Sequence, residues 1–139
     1  MSHWSRLEAE RAFTAASRAR RRAAFFGRVR KLRRTMCGLP VYDEVPQRRA
    51  ERGVREIPLE CIAGTTEPNR ATEFDQHFRP TPQTRGRWQR VWMAFHGGVT
   101  LPPISVVAVS DGYAIRDGHH RVSVAKALGA FSIDAIVAG

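Results

Sequence analysis

Five consecutive residues near the end of the chain, Asp117-Gly118-His119-His120-Arg121, bring together groups that handle anions. A β-branched run precedes them and a helical run follows, so the glycine sits where a strand turns into a helix. The first amides of a helix have no partner within it, and the helix dipole favours negative charge there. An anion binds at such a place with little further machinery. Two imidazoles and a guanidinium add donors, and arginine can fork onto phosphate oxygens. Asp117 could accept from a ribose, bind a metal, orient an imidazole or simply cap the helix. The expected ligand of Asp117, Gly118, His119, His120 and Arg121 is a nucleotide phosphate. The plainer alternative is a capping aspartate beside two exposed histidines.

The elements that must position this corner are readable on both sides of it. Leu101-Pro102-Pro103 leads into a β-branched strand, Ile104–Val109. Ser110-Asp111-Gly112 is a hairpin signal, and Tyr113–Arg116 returns as a second strand. The spacing then predicts a helix over 119–128 with Val122, Ala125 and Leu128 inward, stopped by Gly129. Residues 133–137 form a last strand. Upstream, Trp88, Val91, Trp92 and Phe95 fall on one face of a helix over 87–96. The tryptophans read as core, with a base-stacking platform as the alternative. Glu56–Ile62 predicts a strand that Pro58 confines to an edge. Residues 64–70 read as a polar loop, Phe74 and Phe78 as a short helix or turn, and Val41–Ala50 as one short helix around Pro46. His77 and His96 read as incidental.

Charge is distributed unevenly. The net charge is +10 in 139 residues. Residues 1–40 hold 11 Lys/Arg against Glu8 and Glu10, a net +9, which leaves 12 Lys/Arg against 11 acidic residues and +1 for the remainder. The basic character belongs to an N-terminal helix over 2–36, rich in Ala, Arg, Leu and Glu. One stripe runs Ala12, Ala16, Ala19, Ala23, Phe26 and a second runs Phe25, Val29, Leu32, Met36. The stripes are one residue out of register, which predicts a bend or break near Gly27. Arg18, Arg20, Arg21, Arg22, Arg28, Arg30, Lys31, Arg33 and Arg34 are the candidate contacts to DNA or RNA phosphates. A solvated helix packed on the body, or contact with an anionic membrane surface or an acidic protein, are the alternatives.

Other classes find no support. Cys37 and Cys61 are isolated, and no CxxC, HExxH or His/Cys cluster exists, so reduced thiols in a cytoplasmic protein are expected. No run of 18 apolar residues could span a membrane.

The stretch from Leu101-Pro102-Pro103-Ile104 through Tyr113-Ala114-Ile115-Arg116-Asp117-Gly118-His119-His120-Arg121-Val122-Ser123-Val124-Ala125-Lys126-Ala127-Leu128-Gly129 resembles the ParB/sulfiredoxin-like domain. The resemblance covers roughly residues 55–139, with Glu56-Ile57-Pro58-Leu59 similar to the domain's first strand. Residues from Phe74-Asp75 to Arg87-Trp88 resemble a stretch of small bacterial ParB-like proteins. In ParB proteins a Gly-Glu-Arg-Arg box at this corner holds the triphosphate of CTP. Gly118 and Arg121 match it, and the middle pair differs. In sulfiredoxin a Gly-Gly-Cys-His-Arg box binds ATP and supplies a reactive cysteine. His120 and Arg121 match, but His119 stands at the cysteine, and an imidazole cannot form the thiol-derived intermediate. Free-serine kinases of the same fold use a nucleotide and a carboxylate base, for which Glu56 or Glu60 would serve. With nothing after Gly139 in the sequence, sequence-specific DNA reading and partition clamping are not expected.

The resulting expectation is an α+β fold, a small mixed β-sheet with packed helices, preceded by the basic helix. Its parts would be 1–39 (helix), 40–55 (connector) and 56–139 (ParB/sulfiredoxin-like domain). The function implied is nucleotide binding, with hydrolysis or phosphoryl transfer as an extension and a nucleoside triphosphate with Mg2+ as cofactor. The alternative is a non-specific DNA- or RNA-binding accessory protein acting through the arginine-rich helix.

Overall fold

The computed structural model describes residues 3–29, 38–43 and 53–138. The elements are α1 (His3–Val29), β1 (Val54–Pro58), a 3-10 turn (Leu59–Cys61), β2 (Ile62–Thr65), α2 (Pro68–Ala71), a second 3-10 turn (Pro82–Thr84), α3 (Arg85–His96), β3 (Ile104–Val109), β4 (Gly112–Asp117), α4 (His119–Ala127) and β5 (Ser132–Ala138). The architecture is α+β with one mixed sheet, as the sequence predicts. The strand order is β1-β5-β3-β4-β2. β3 pairs antiparallel with β4 and parallel with β5, β4 pairs parallel with β2, and β1 closes the other side antiparallel to β5.

Local sequence accounts for most of these elements. Ile104–Val109 suits a strand buried on both faces, and Ile104 and Val106 are fully buried. Pro58, which cannot donate to a ladder, ends the edge strand β1. The expected single strand over 56–62 is broken by the 3-10 turn, and Ile62–Thr65 goes to the far edge of the sheet beside β4. The expected loop over 64–70 therefore contains β2 and α2, with Pro68 in the first turn of α2. Phe74 and Phe78 lie in a turn, in which Phe78 takes a left-handed φ of 62°. The expected helix over 41–50 lies largely outside the described residues. Its first residues, 41–43, are not helical: Val41 bridges Thr65, and the Tyr42 amide donates to the Thr65 carbonyl at 2.8 Å.

α3 and α4 are tied to one another and to the Phe78 turn by one buried chain of hydrogen bonds. Trp88 Nε1 donates to Ser123 Oγ at 2.8 Å, and Ser123 Oγ donates to the Phe78 carbonyl. Trp88 and Trp92 are core, so neither is a stacking platform. Leu128, expected inward, is exposed because α4 ends at Ala127. α1 runs unbroken through Gly27 to Val29, and the second stripe beyond it lies outside the described residues. It docks on α3 through Ala9, Phe13 and Ser17, which recur every four residues. The Phe13 ring meets Trp88 edge-on at 5.6 Å, and the Arg85 guanidinium lies over the Phe13 ring, 4.7 Å from its centroid. His96 also serves this contact: it stacks on Trp92, and its Nε2 lies 2.9 Å from Glu8 Oε2.

Candidate functional site

Gly118 makes the corner possible. Its φ is +114°, and a Cβ there would run into the side chain of Ile104. The Val122 amide donates to the Gly118 carbonyl at 3.0 Å, which starts α4. No side chain caps this helix start. Asp117 is thus not a cap. Its Oδ2 accepts from Arg121 Nη2 at 3.1 Å instead.

Both histidines are buried, at 4% exposure for His119 and 7% for His120, so they are not exposed polar residues. His119 Nε2 is 2.6 Å from Thr65 Oγ1, and its ring stacks on Phe74. The His120 ring meets Phe74 edge-on at 5.1 Å. Burial lowers the His119 pKa to about 4, with help from the charge of Arg70 and from His120, while Glu73 and Asp117 pull weakly the other way. Burial also lowers His120 to about 4, helped by Arg87 and Arg70. At neutral pH both rings are therefore uncharged. The cationic character of this side of the corner comes from Arg70, which is tied to Glu73, and from exposed Arg87.

Arg121 turns elsewhere. Its Nη1 donates to the carbonyls of Pro102 and Pro103, and Nη2 to Asp117. The predicted residues thus flank the start of α4 on two sides, the histidines against Thr65 and Phe74, and Arg121 against the segment leading into β3. Beyond Arg121 lies a cavity of about 340 Å³, lined among others by Glu56, Phe95, Leu101, Pro102 and Asp134. Of the two carboxylates proposed as bases, Glu56 lines this cavity and Glu60 does not. Glu56 accepts from Ser132 Oγ at 2.8 Å. Thr65, Arg70, Phe74 and Arg87 were not legible as neighbours of the corner. β2 brings Thr65 there only through its pairing with β4, a long-range contact with no local signal.

The candidate nucleic-acid contacts divide in the same way. Arg18, Arg21 and Arg22 are exposed, while Arg20 is half-buried and donates to the Pro80 carbonyl at 3.2 Å. The Arg28 side chain and all of Arg30, Lys31, Arg33 and Arg34 lie outside the described residues. Among the described residues no three His, Cys, Asp or Glu side chains cluster as a metal site, and no helix is long and apolar enough to cross a membrane.

No protein-family model matches the chain, and no curated protein matches it. Among solved structures it is similar to sulfiredoxin from Arabidopsis thaliana, at 23% identity and a TM-score of 0.45, over 62% of this chain and 84% of that one.

Proposed function

We propose that the protein binds a nucleotide at the Gly118 corner, with phosphates on the first amides of α4 and the nucleoside in the adjoining cavity. The observation that supports this best is Arg121, which belongs both to the uncapped helix start and to the wall of the cavity. A phosphate between them meets helix amides, the positive end of a dipole and a guanidinium. Mg2+ would arrive on the phosphates. In a phosphoryl transfer, Glu56 on the cavity wall would take the proton from an acceptor hydroxyl, and the rest of catalysis would rest on positioning and charge neutralisation.

The test uses the full chain in a thermal-shift screen against ATP, ADP, CTP and GTP, with and without Mg2+, and against inorganic triphosphate. Ala130→Phe, at an exposed position on the cavity rim, should weaken nucleotide binding about tenfold and spare triphosphate, a loss of about 1.4 kcal/mol. If neither nucleotides nor triphosphate move the melting temperature, the reading is wrong. Arg121→Ala is a poorer probe, because it also releases the Pro102 and Pro103 carbonyls.

A second reading, non-specific contact with nucleic-acid phosphates through α1, is favoured by how α1 docks. Its apolar side is used up against α3, and Arg11, Arg18 and Arg22 recur on the opposite side at helical spacing, all exposed.

A further inference from the structure

Past Arg22 the outward side of α1 carries two aromatic rings. Phe25 and Phe26 are 58% and 53% exposed, with ring centroids 5.7 Å apart and planes at 73°. Phe25 follows Arg18 by seven residues and Arg22 by three, and Phe26 follows Arg22 by four. Helical spacing therefore places both rings beside the same arginines. We propose that α1 binds single-stranded nucleic acid, its arginines following the phosphates and Phe25 and Phe26 stacking on unpaired bases. This rests on the α1 contact proposed above and names its partner.

Four physical arguments select that partner. Exposed flat rings next to guanidinium groups match a chain that alternates phosphates with aromatic faces. A duplex offers the phosphates, but its base faces are already stacked on one another, so the phenylalanines would gain nothing from it. A membrane surface needs a continuous apolar side on the helix, and the apolar side here, Ala9, Ala12, Phe13 and Ala16, is packed on the body. Over residues 11–22 the centre of the free side is occupied by arginine. Arginine also suits phosphate better than lysine does, since its fork can engage two oxygens.

The experiment measures fluorescence anisotropy of the full chain with labelled oligothymidylate and with a duplex of equal length, at several salt concentrations. Wild type should bind the single strand more tightly. Phe25→Leu with Phe26→Leu keeps apolar side chains but removes the rings. It should weaken single-strand binding about tenfold, leave duplex binding and the salt slope unchanged, and leave the melting temperature in place. Equal affinity for both strands, with no effect of the leucine variant, would remove the stacking role and leave the phosphate contact standing. A variant that lost both strands equally would also overturn the proposal. Absence of binding to either oligonucleotide at low salt would remove the α1 contact itself. Binding to phosphatidylserine vesicles in place of oligonucleotides would replace it with a membrane surface.

Discussion

The corner of α4 and the outer side of α1 hold similar groups, arginines with aromatic rings close by, under opposite conditions. At the corner the imidazoles are sealed against Phe74 and Thr65, and Arg121 is committed to two carbonyls and Asp117. On α1, Arg11, Arg18 and Arg22 stand in solvent. Burial leaves the histidines neutral and ties Arg121 Nη1 and Nη2 to the fold, so the corner engages a ligand only through the helix amides and the donors these bonds leave open. Exposure leaves the second set charged and free, and therefore sensitive to salt. A basic cluster in a sequence gains its role from the density of its surroundings more than from its own composition.

The largest test of this contrast lies on α1 itself, whose two sides should respond oppositely. Phe13 is 1% exposed and packs edge-on to Trp88 beneath Arg85. Phe13→Ala should cost about 3–5 kcal/mol, read from urea denaturation, because it opens a cavity against the central tryptophan. A loss under about 0.5 kcal/mol, the range of ordinary surface changes, would mean that α1 is a detachable arm. For the same reason, deleting the helix to test nucleic-acid binding would uncover Trp88 and confuse unfolding with loss of contact.

The next effect separates the corner from α1 by pH. The two histidines titrate at 6.5 when unfolded and at about 4 when folded. Between those values the unfolded chain holds protons that the folded chain does not. Stability contributed by these groups is therefore complete above about pH 6.5, falls as pH drops toward 4, and levels off below. The loss is roughly 3 kcal/mol per histidine. Denaturation midpoints from pH 7 to 4 should show this slope, and His119→Gln with His120→Gln should flatten it.

How much of this was legible depends on whether the cause was local. The strand pair Ile104–Val109 and Tyr113–Arg116, the turn at Gly118, the helix after it and the tryptophan face of α3 all follow from residue spacing, and they lie close to where it puts them. β2 was not legible, because Ile62–Thr65 is only four residues long, carries Gly64, and becomes a strand by pairing with β4 and with residues 40–42. The site shows the same division. Gly118 could be assigned from its turn, and its left-handed φ bears that out. Thr65, Arg70 and Arg87 come from three other elements and announce themselves nowhere in the sequence. The stripes on α1 misled in a different way. Alanines and phenylalanines satisfy helical spacing on several faces of one helix, and only the position of Trp88 decides that Phe13 goes inside while Phe25 and Phe26 stay out.

The smallest expected effect on stability is the one that defines the outer side of α1. Arg11, Arg18 and Arg22 touch no acidic partner among the described residues, and an exposed arginine of that kind contributes little to folding. Replacing all three by glutamine should shift the unfolding free energy by less than about 0.5 kcal/mol, upward where relief of their mutual repulsion dominates. The same triple variant should flatten the salt dependence of single-strand binding strongly. Each phosphate contact contributes about 0.7 to the slope of log affinity against log salt, so three lost contacts lower it by about 2. Circular-dichroism melts and anisotropy titrations on one preparation read both quantities. If stability fell by as much as in Phe13→Ala, the outer arginines would be part of the fold, and the distinction between the two sides of α1 would fail. If stability and slope both stayed constant, α1 would be a solvated face, and the difference between a sealed corner and an open helix would carry no consequence for binding.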